Sequence, residues 1–267
     1  KWHIMGGWYL QPDCNMPCGE SFVRQMLIGR NYFWDKFGVA PTTAINFDPF
    51  GHTRGLVQIM KKAGFDSYLF CRPGKNDCPL PAEDFIWVGY DGSEIIGHRA
   101  AEHYLSALGK ADEKINKYLE KHPKQEVGSV LWGVGNHGGG PSRIDLEKIK
   151  VLIKDNKEFK ILHSTPEAYF KHLKKSGKEL PRHEKDLNSW AVGCYTSQIR
   201  IKQKHRLLEN ELYIVEKMMS HTSILGLTKY PYDEIHEVAC DLMVAEFHDI
   251  LPGSSIQNVE EASLRLL

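Results

Sequence analysis

The sequence has no excess charge of either sign: 34 Lys and Arg stand against 34 Asp and Glu in 267 residues. The basic residues are not clustered either, so nothing calls for nucleic acid or an anionic membrane as partner. No apolar stretch approaches the ~20 residues that span a bilayer. Cysteine is sparse: Cys14, Cys18, Cys71, Cys78, Cys194 and Cys240 are spread along the chain. That spread excludes a dense disulfide scaffold and favours reduced thiols in a cytoplasmic protein. An Asn-X-Ser/Thr sequon and a signal peptide are also missing, which agrees. In "CNMPC", Cys14 and Cys18 have no second Cys/His pair at a zinc-like spacing, so they read as small loop residues.

What is present describes a soluble globular protein, 42% hydrophobic and 25% charged, long enough for one large domain or two ordinary ones. Strands and helices alternate through the first two thirds. The expected strands are Trp2–Leu10, "TTAINF", "SYLFC", "SVLWGVG" and "FKILHS", with a hairpin turning at Asp91-Gly92 in "FIWVGYDGSEIIGH". Between them, helical spacing predicts helices from Glu20 to Gly38 (Phe22, Met26, Gly29 and Phe33 on one face), over "GLVQIMKKAG", over "AEHYLSALGKADEKINKYLEKH", from Arg143 to Lys154 and from Pro166 to Lys175. The alternation predicts an α/β fold, a mainly parallel, distorted barrel-like β/α domain over residues 1–182. Residues 183–267 predict a three-helix bundle. Its faces carry Ile201, Leu208, Leu212, Val215 and Met219, then Ile235, Val238, Leu242 and Ala245, and the third helix is "NVEEASLRLL". Because the chain opens on Lys1 in an apolar run and closes inside a helical pattern, it reads as an internal fragment.

Three places could carry chemistry. Asp48 follows "TTAINF" directly, at the carboxyl end of a strand, where α/β proteins place ligand-binding groups; capping the next helix or holding the Pro49 turn is the alternative. His248 and Asp249 close a helix before a Pro-Gly stop. A lone His there is commonly a dipole partner, but the pair offers nitrogen and oxygen ligands that with Asp48 suit Zn²⁺. The loop "WGVGNHGGGPS" lacks the Lys and spacing of a phosphate loop. Its glycines allow close approach of a substrate, which would bring His137 to a cleft.

"GGWYLQPDCNMPCGESFVRQMLIGRNYFWDKFG", "FDPFGHTRGLVQIMKKAGFDSYLFCR", "GCYTSQIRIKQKHRLLENELY" and "FHDILPGSSI", in that order, resemble glycoside hydrolase family 38, in particular its bacterial and cytosolic-type α-mannosidases. The resemblance covers essentially the whole chain. It implies a retaining zinc enzyme that removes terminal α-mannose from oligosaccharides. It makes Asp48 both nucleophile and zinc ligand, His248 a second ligand, Arg72 a group fixing the nucleophile, and Asp249 a partner of sugar hydroxyls or of the zinc shell. It also implies a tendency to homo-oligomerise. Two departures stand out. The family's early His-X-Asp motif, which supplies two zinc ligands, has no counterpart here, and two ligands are too few for a closed site. The loop expected to hold the acid/base Asp reads Gly135-Asn136-His137-Gly138. His137 then takes the proton-transfer role, with Asp13 and Glu20 as outside candidates, Asp13 also as a substrate-facing group. A non-catalytic mannose-binding fragment and another metal-dependent carbohydrate hydrolase, such as a deacetylase, are the competing readings.

Overall fold

The computed structural model describes residues 3–135 and 139–267. Its sheet forms where short apolar runs end at turn residues: β1 (Thr43–Ile45), β2 (Ser67–Phe70), β3 (Asp84–Val88), β4 (Glu94–Arg99) and β5 (Arg182–His183). The strand order is β1-β2-β4-β3-β5, and every pairing is parallel except that of β3 with β4. That antiparallel pair is the expected hairpin, with Gly92 at φ +80° in its turn. The mixed α/β layer and mostly parallel sheet agree with the sequence reading.

Side chains of β2 alternate between two cores, as a period of two requires. Tyr68 and Phe70 pack with Phe22, Met26, Leu56 and Met60 of α1 (Gly19–Phe37) and α2 (Leu56–Lys62). Leu69 faces the other way, onto Phe170 and Leu173 of α5 (Pro166–Lys175). Each such fully buried side chain contributes about 1.5–3 kcal/mol. Helices α3 (Ala111–Lys121) and α4 (Arg143–Asp155) form a smaller cluster around Ile115 and Ile149. Helix α1 ends as its sequence suggests, with Gly38 at φ +63° donating to the Trp34 carbonyl.

Four expected elements differ. Within residues 3–10 there is no strand, because Tyr9 N–H and Leu10 N–H are taken by the Gln25 carbonyl and side-chain oxygen of α1. Gly29 permits that approach: a Cβ there would lie 2.2 Å from the Trp8 carbonyl carbon. The helix expected from Ala101 starts only at Ala111, since Glu102, His103 and Gly109 all have positive φ. "SVLWGVG" makes a single bridge, Val134 with Ser106, and "FKILHS" makes none.

Past residue 190 three helices follow: α6 (Ile199–Ile224), α7 (Tyr232–Ala245) and α8 (Gln257–Leu266). Leu212, Ile235, Ala239 and Leu242 form the α6–α7 core. Val215 and Val238 lie outside it, 44% and 36% exposed, because α6 also turns a face to α1 through a two-point Arg24–Glu216 pair at 2.8 and 2.6 Å. All six cysteines are free. Among the described residues no helix is long and apolar enough to cross a membrane.

Candidate active site

Adjacent parallel strands β1, β2 and β4 each hand one segment to the same end of the sheet: Asp48 after β1, Arg72 after β2, and His103-Tyr104 after β4. Their side chains meet there. Tyr104 Oη donates to Asp48 Oδ2 at 2.9 Å, while Arg72 Nη1 lies 3.5 Å and His103 Nε2 4.0 Å from Asp48 Oδ1. These last two are ion-pair distances without hydrogen-bond geometry, so Oδ1 is a buried carboxylate oxygen that accepts no hydrogen bond. Burial, then the bond to Asp48, pushes the Tyr104 hydroxyl up to about 12, so it stays a donor at neutral pH. Burial, then the Arg72 charge, lowers His103 and favours its neutral ring.

Aromatic faces flank the carboxylate. Phe47 stacks on Tyr104 with centroids 5.3 Å apart, Phe50 stacks on Trp190 at the same distance, and the Arg72 guanidinium lies 4.6 Å over Trp190. The loop carrying Tyr104 is strained, with Glu102 at φ +54° and His103 at φ +67°. Such residues cost on the order of 1–3 kcal/mol each and persist only where neighbours fix them. Lys114 of α3 does so, donating to the carbonyls of His103 (2.7 Å), Leu105 (3.0 Å) and Leu131 (2.7 Å).

His248 enters from the far end of the chain. Its Nδ1 donates to the Gln11 carbonyl at 2.9 Å, and the Gln11 side-chain oxygen accepts the Phe47 N–H at 3.2 Å. One residue therefore ties His248 to the backbone beside Asp48. With Nδ1 used in this way, Nε2 keeps its lone pair for a ligand. Asp249 Oδ2 lies 3.9 Å from that Nε2, and Asp249 Oδ1 accepts from Ser254 at 3.1 Å. Asp13 is fully buried. Its Oδ1 accepts the Asn15 and Met16 N–H groups and its Oδ2 the Tyr195 hydroxyl, while burial raises its pKa against these bonds. Glu20 sits on α1, paired with Arg24 one turn along. His137 lies outside the described residues.

Asp48 Oδ1 accepts no hydrogen bond and His248 Nε2 keeps its lone pair free, and two such atoms are fewer than the about four ligands of a closed zinc site. Among the described residues, the donor atoms of three or more His, Cys, Asp or Glu side chains converge only at His205, Glu209 and Glu246, a set that includes neither Asp48 nor His248. The sequence reading missed Tyr104, His103, Lys114 and Gln11. For Tyr104 and His103 the available signal was Gly109, a helix stop inside the assumed helix.

Residues 1–192 match the model of the glycosyl hydrolases family 38 N-terminal domain, and residues 190–266 that of the alpha mannosidase middle domain. Alpha-mannosidase G of Dictyostelium discoideum is 30% identical over 98% of this chain and 24% of its own length. The alpha-mannosidase of Saccharomyces cerevisiae is 31% identical over 97% of the chain and 25% of its own length, and human alpha-mannosidase 2C1 is 29% identical over 97% and 26%. The chain thus spans about a quarter of the length of these curated relatives. In fold it is similar to an alpha-mannosidase from Enterococcus faecalis V583 (TM-score 0.77, 22% identity, 98% of this chain and 31% of that one). It is more distantly similar to the 4-alpha-glucanotransferase of Thermococcus litoralis (TM-score 0.57, 13% identity, 90% and 41%).

Proposed function

The chain belongs to glycosyl hydrolases family 38, and we propose that it carries the nucleophile side of a retaining, zinc-dependent α-mannosidase that cleaves terminal α-mannose from oligosaccharides. The observation behind this reading is the Asp48 carboxylate: one oxygen is fixed by Tyr104, and the other is buried, unpartnered and beside Arg72. Asp48 attacks the anomeric carbon, the bond to the leaving oxygen breaks, and that oxygen takes a proton from the 135–139 loop, where His137 is the donor we assign. Water then hydrolyses the glycosyl-enzyme with the same group acting as base. Tyr104 and Arg72 hold the carboxylate aimed, and the half-buried Phe47 and Trp190 rings, Trp190 backed by Phe50, offer apolar surface to the sugar. Asp48 and His248 would hold the zinc, with Asp249 supporting His248 or bonding sugar hydroxyls. Such an ion supplies Lewis-acid contacts that hold sugar hydroxyls in place. The fold we infer is a distorted barrel-like β/α domain over 1–182 with a three-helix bundle over 183–267. The location we infer is cytoplasmic, which the six free cysteines favour, and the assembly state a homo-oligomer.

A non-catalytic mannose-binding role is the second reading, favoured by the lack of any carboxylate in Gly135-Asn136-His137-Gly138. A fluorinated α-mannosyl fluoride, which traps a glycosyl-enzyme, separates the two. Labelling of the Asp48 peptide, lost in Asp48→Asn, supports catalysis. Mannoside binding without label or turnover leaves only the second reading. Zinc content by elemental analysis, lower in Asp48→Asn, tests the metal independently.

A further inference from the structure

Three metal-type donors are buried where α6, α7 and the start of α1 meet. His205 and Glu209 lie one turn apart on one face of α6, and Glu246 follows the end of α7; they are 1%, 1% and 0% exposed. One donor atom from each lies within 4.8 Å of the other two. An ion at their centre would sit at most about 2.8 Å from each, a contraction of well under 1 Å from zinc–ligand lengths. The layout, a His and a Glu one turn apart on one helix facing a Glu from another, is of the general kind used by metal sites in helix bundles, here with i, i+4 in place of i, i+3 spacing.

The charge count points the same way. Two carboxylates buried this deeply need compensation. The full cation against them is Arg206, which bonds Glu209 and is itself half exposed. Besides His205, the remaining partners of the carboxylates among the described residues are neutral donors. Glu209 Oε1 accepts from Cys18 N–H (2.8 Å) and Ser21 Oγ (2.9 Å), and Glu246 Oε2 accepts from the Gln25 amide (3.0 Å). Such bonds orient ligating carboxylates from outside. The contact that closes the group, His205 Nε2 to Glu246 Oε1, is slack at 3.3 Å against about 2.8 Å for a charge-assisted pair.

We propose that His205, Glu209 and Glu246 form a structural site for a divalent metal ion of the zinc class, separate from the pair at Asp48 and His248. On binding, the His205 ring proton moves by way of solvent from Nε2 to Nδ1, so that the neutral ring offers Nε2 to the ion; the His205–Glu246 hydrogen bond is replaced by two bonds to the ion, and α6, α7 and the N-terminus of α1 are tied together. A mixed N/O set with two carboxylates accommodates Zn²⁺, Mn²⁺ or Co²⁺.

The test counts zinc equivalents on the metal-stripped chain by competition with a chromophoric chelator. It uses wild type, Asp48→Asn, and Asp48→Asn combined with His205→Gln or Glu209→Gln. Asp48→Asn removes the other site, so the two ideas fail separately. The expected result is one equivalent held by Asp48→Asn and none by either double variant, with zinc raising the Tm of Asp48→Asn by several degrees. An Asp48→Asn chain that binds no zinc overturns the proposal whether or not the double variants fold. So does zinc that survives both second substitutions. One equivalent on wild type and one on Asp48→Asn still supports this site and argues against the one at Asp48.

Discussion

His52 lies beneath the candidate site with a fully buried ring. Its Nε2–H donates to the Arg72 carbonyl at 2.7 Å, and its Nδ1 accepts from Tyr68 Oη at 2.8 Å. Phe70 and Tyr68 enclose it edge to face. Desolvation lowers its pKa from 6.5 to about 4, against the smaller opposing effect of the Arg72 carbonyl. A depressed histidine leaves protons to the unfolded chain. The stability associated with its neutral ring is therefore complete above about pH 6.5, is lost as pH falls, and levels off below about pH 4. At 1.36 kcal/mol per unit the loss comes to roughly 3 kcal/mol, a large part of a domain's margin. His52→Gln keeps a donor for Arg72 and an acceptor for Tyr68 but does not titrate. Urea unfolding of both proteins at pH 7, 6, 5 and 4.5 should show wild type losing roughly 2.5 kcal/mol more than the variant across that window. Parallel pH curves would refute the assignment of the acid response to His52.

Lys114→Met removes three charge-assisted bonds, about 1.5 kcal/mol each at the low end, and releases some strain at Glu102 and His103. The net loss should be about 3 kcal/mol with faster amide exchange over 102–106; unchanged exchange there would count against Lys114 as the clamp. Gly29→Ala should lower Tm although alanine favours helix by about 1 kcal/mol, because its Cβ would meet the Trp8 carbonyl at 2.2 Å. A raised Tm would show that the 3–10 segment can move aside. Asp84 Oδ1 accepts both Tyr169 Oη (2.6 Å) and His98 Nδ1 (2.7 Å) inside the core. Asp84→Ala should cost about 3–5 kcal/mol and Asp84→Asn clearly less, and equal losses would argue that volume rather than polarity decides.

The legible parts of the fold are those whose local pattern and long-range pairing agree. "SYLFC" is a short apolar run and the Asp91-Gly92 hairpin alternates around its turn, and both enter the sheet. "SVLWGVG" has similar composition, yet the Val134 N–H goes to the Gly140 carbonyl and one bridge remains. β-propensity reports fit to a pleated surface, and the surface itself is set by distant residues. In the site, Asp48 was legible because a carboxylate ends an apolar run. Tyr104 was not, since "AEHYL" looks helical until the positive φ of Glu102 and His103, held by a lysine eleven residues past His103, is seen. Gln11 was invisible for a related reason: it holds His248 through a backbone carbonyl, which any residue has, and its side-chain oxygen meets a backbone N–H 36 positions away.

The Gln11–His248 bond also sets a timetable for synthesis. Its partners are 237 positions apart, which at 5–20 residues per second is roughly 10–50 s of translation. Through that interval Asp48, Arg72 and Tyr104 can assemble on the sheet, yet the imidazole that completes the pair has not emerged. The nascent sheet therefore carries the carboxylate without the imidazole, and a chain released early lacks it permanently. Completion of the site then reports that the whole segment through α7 has been made and has docked.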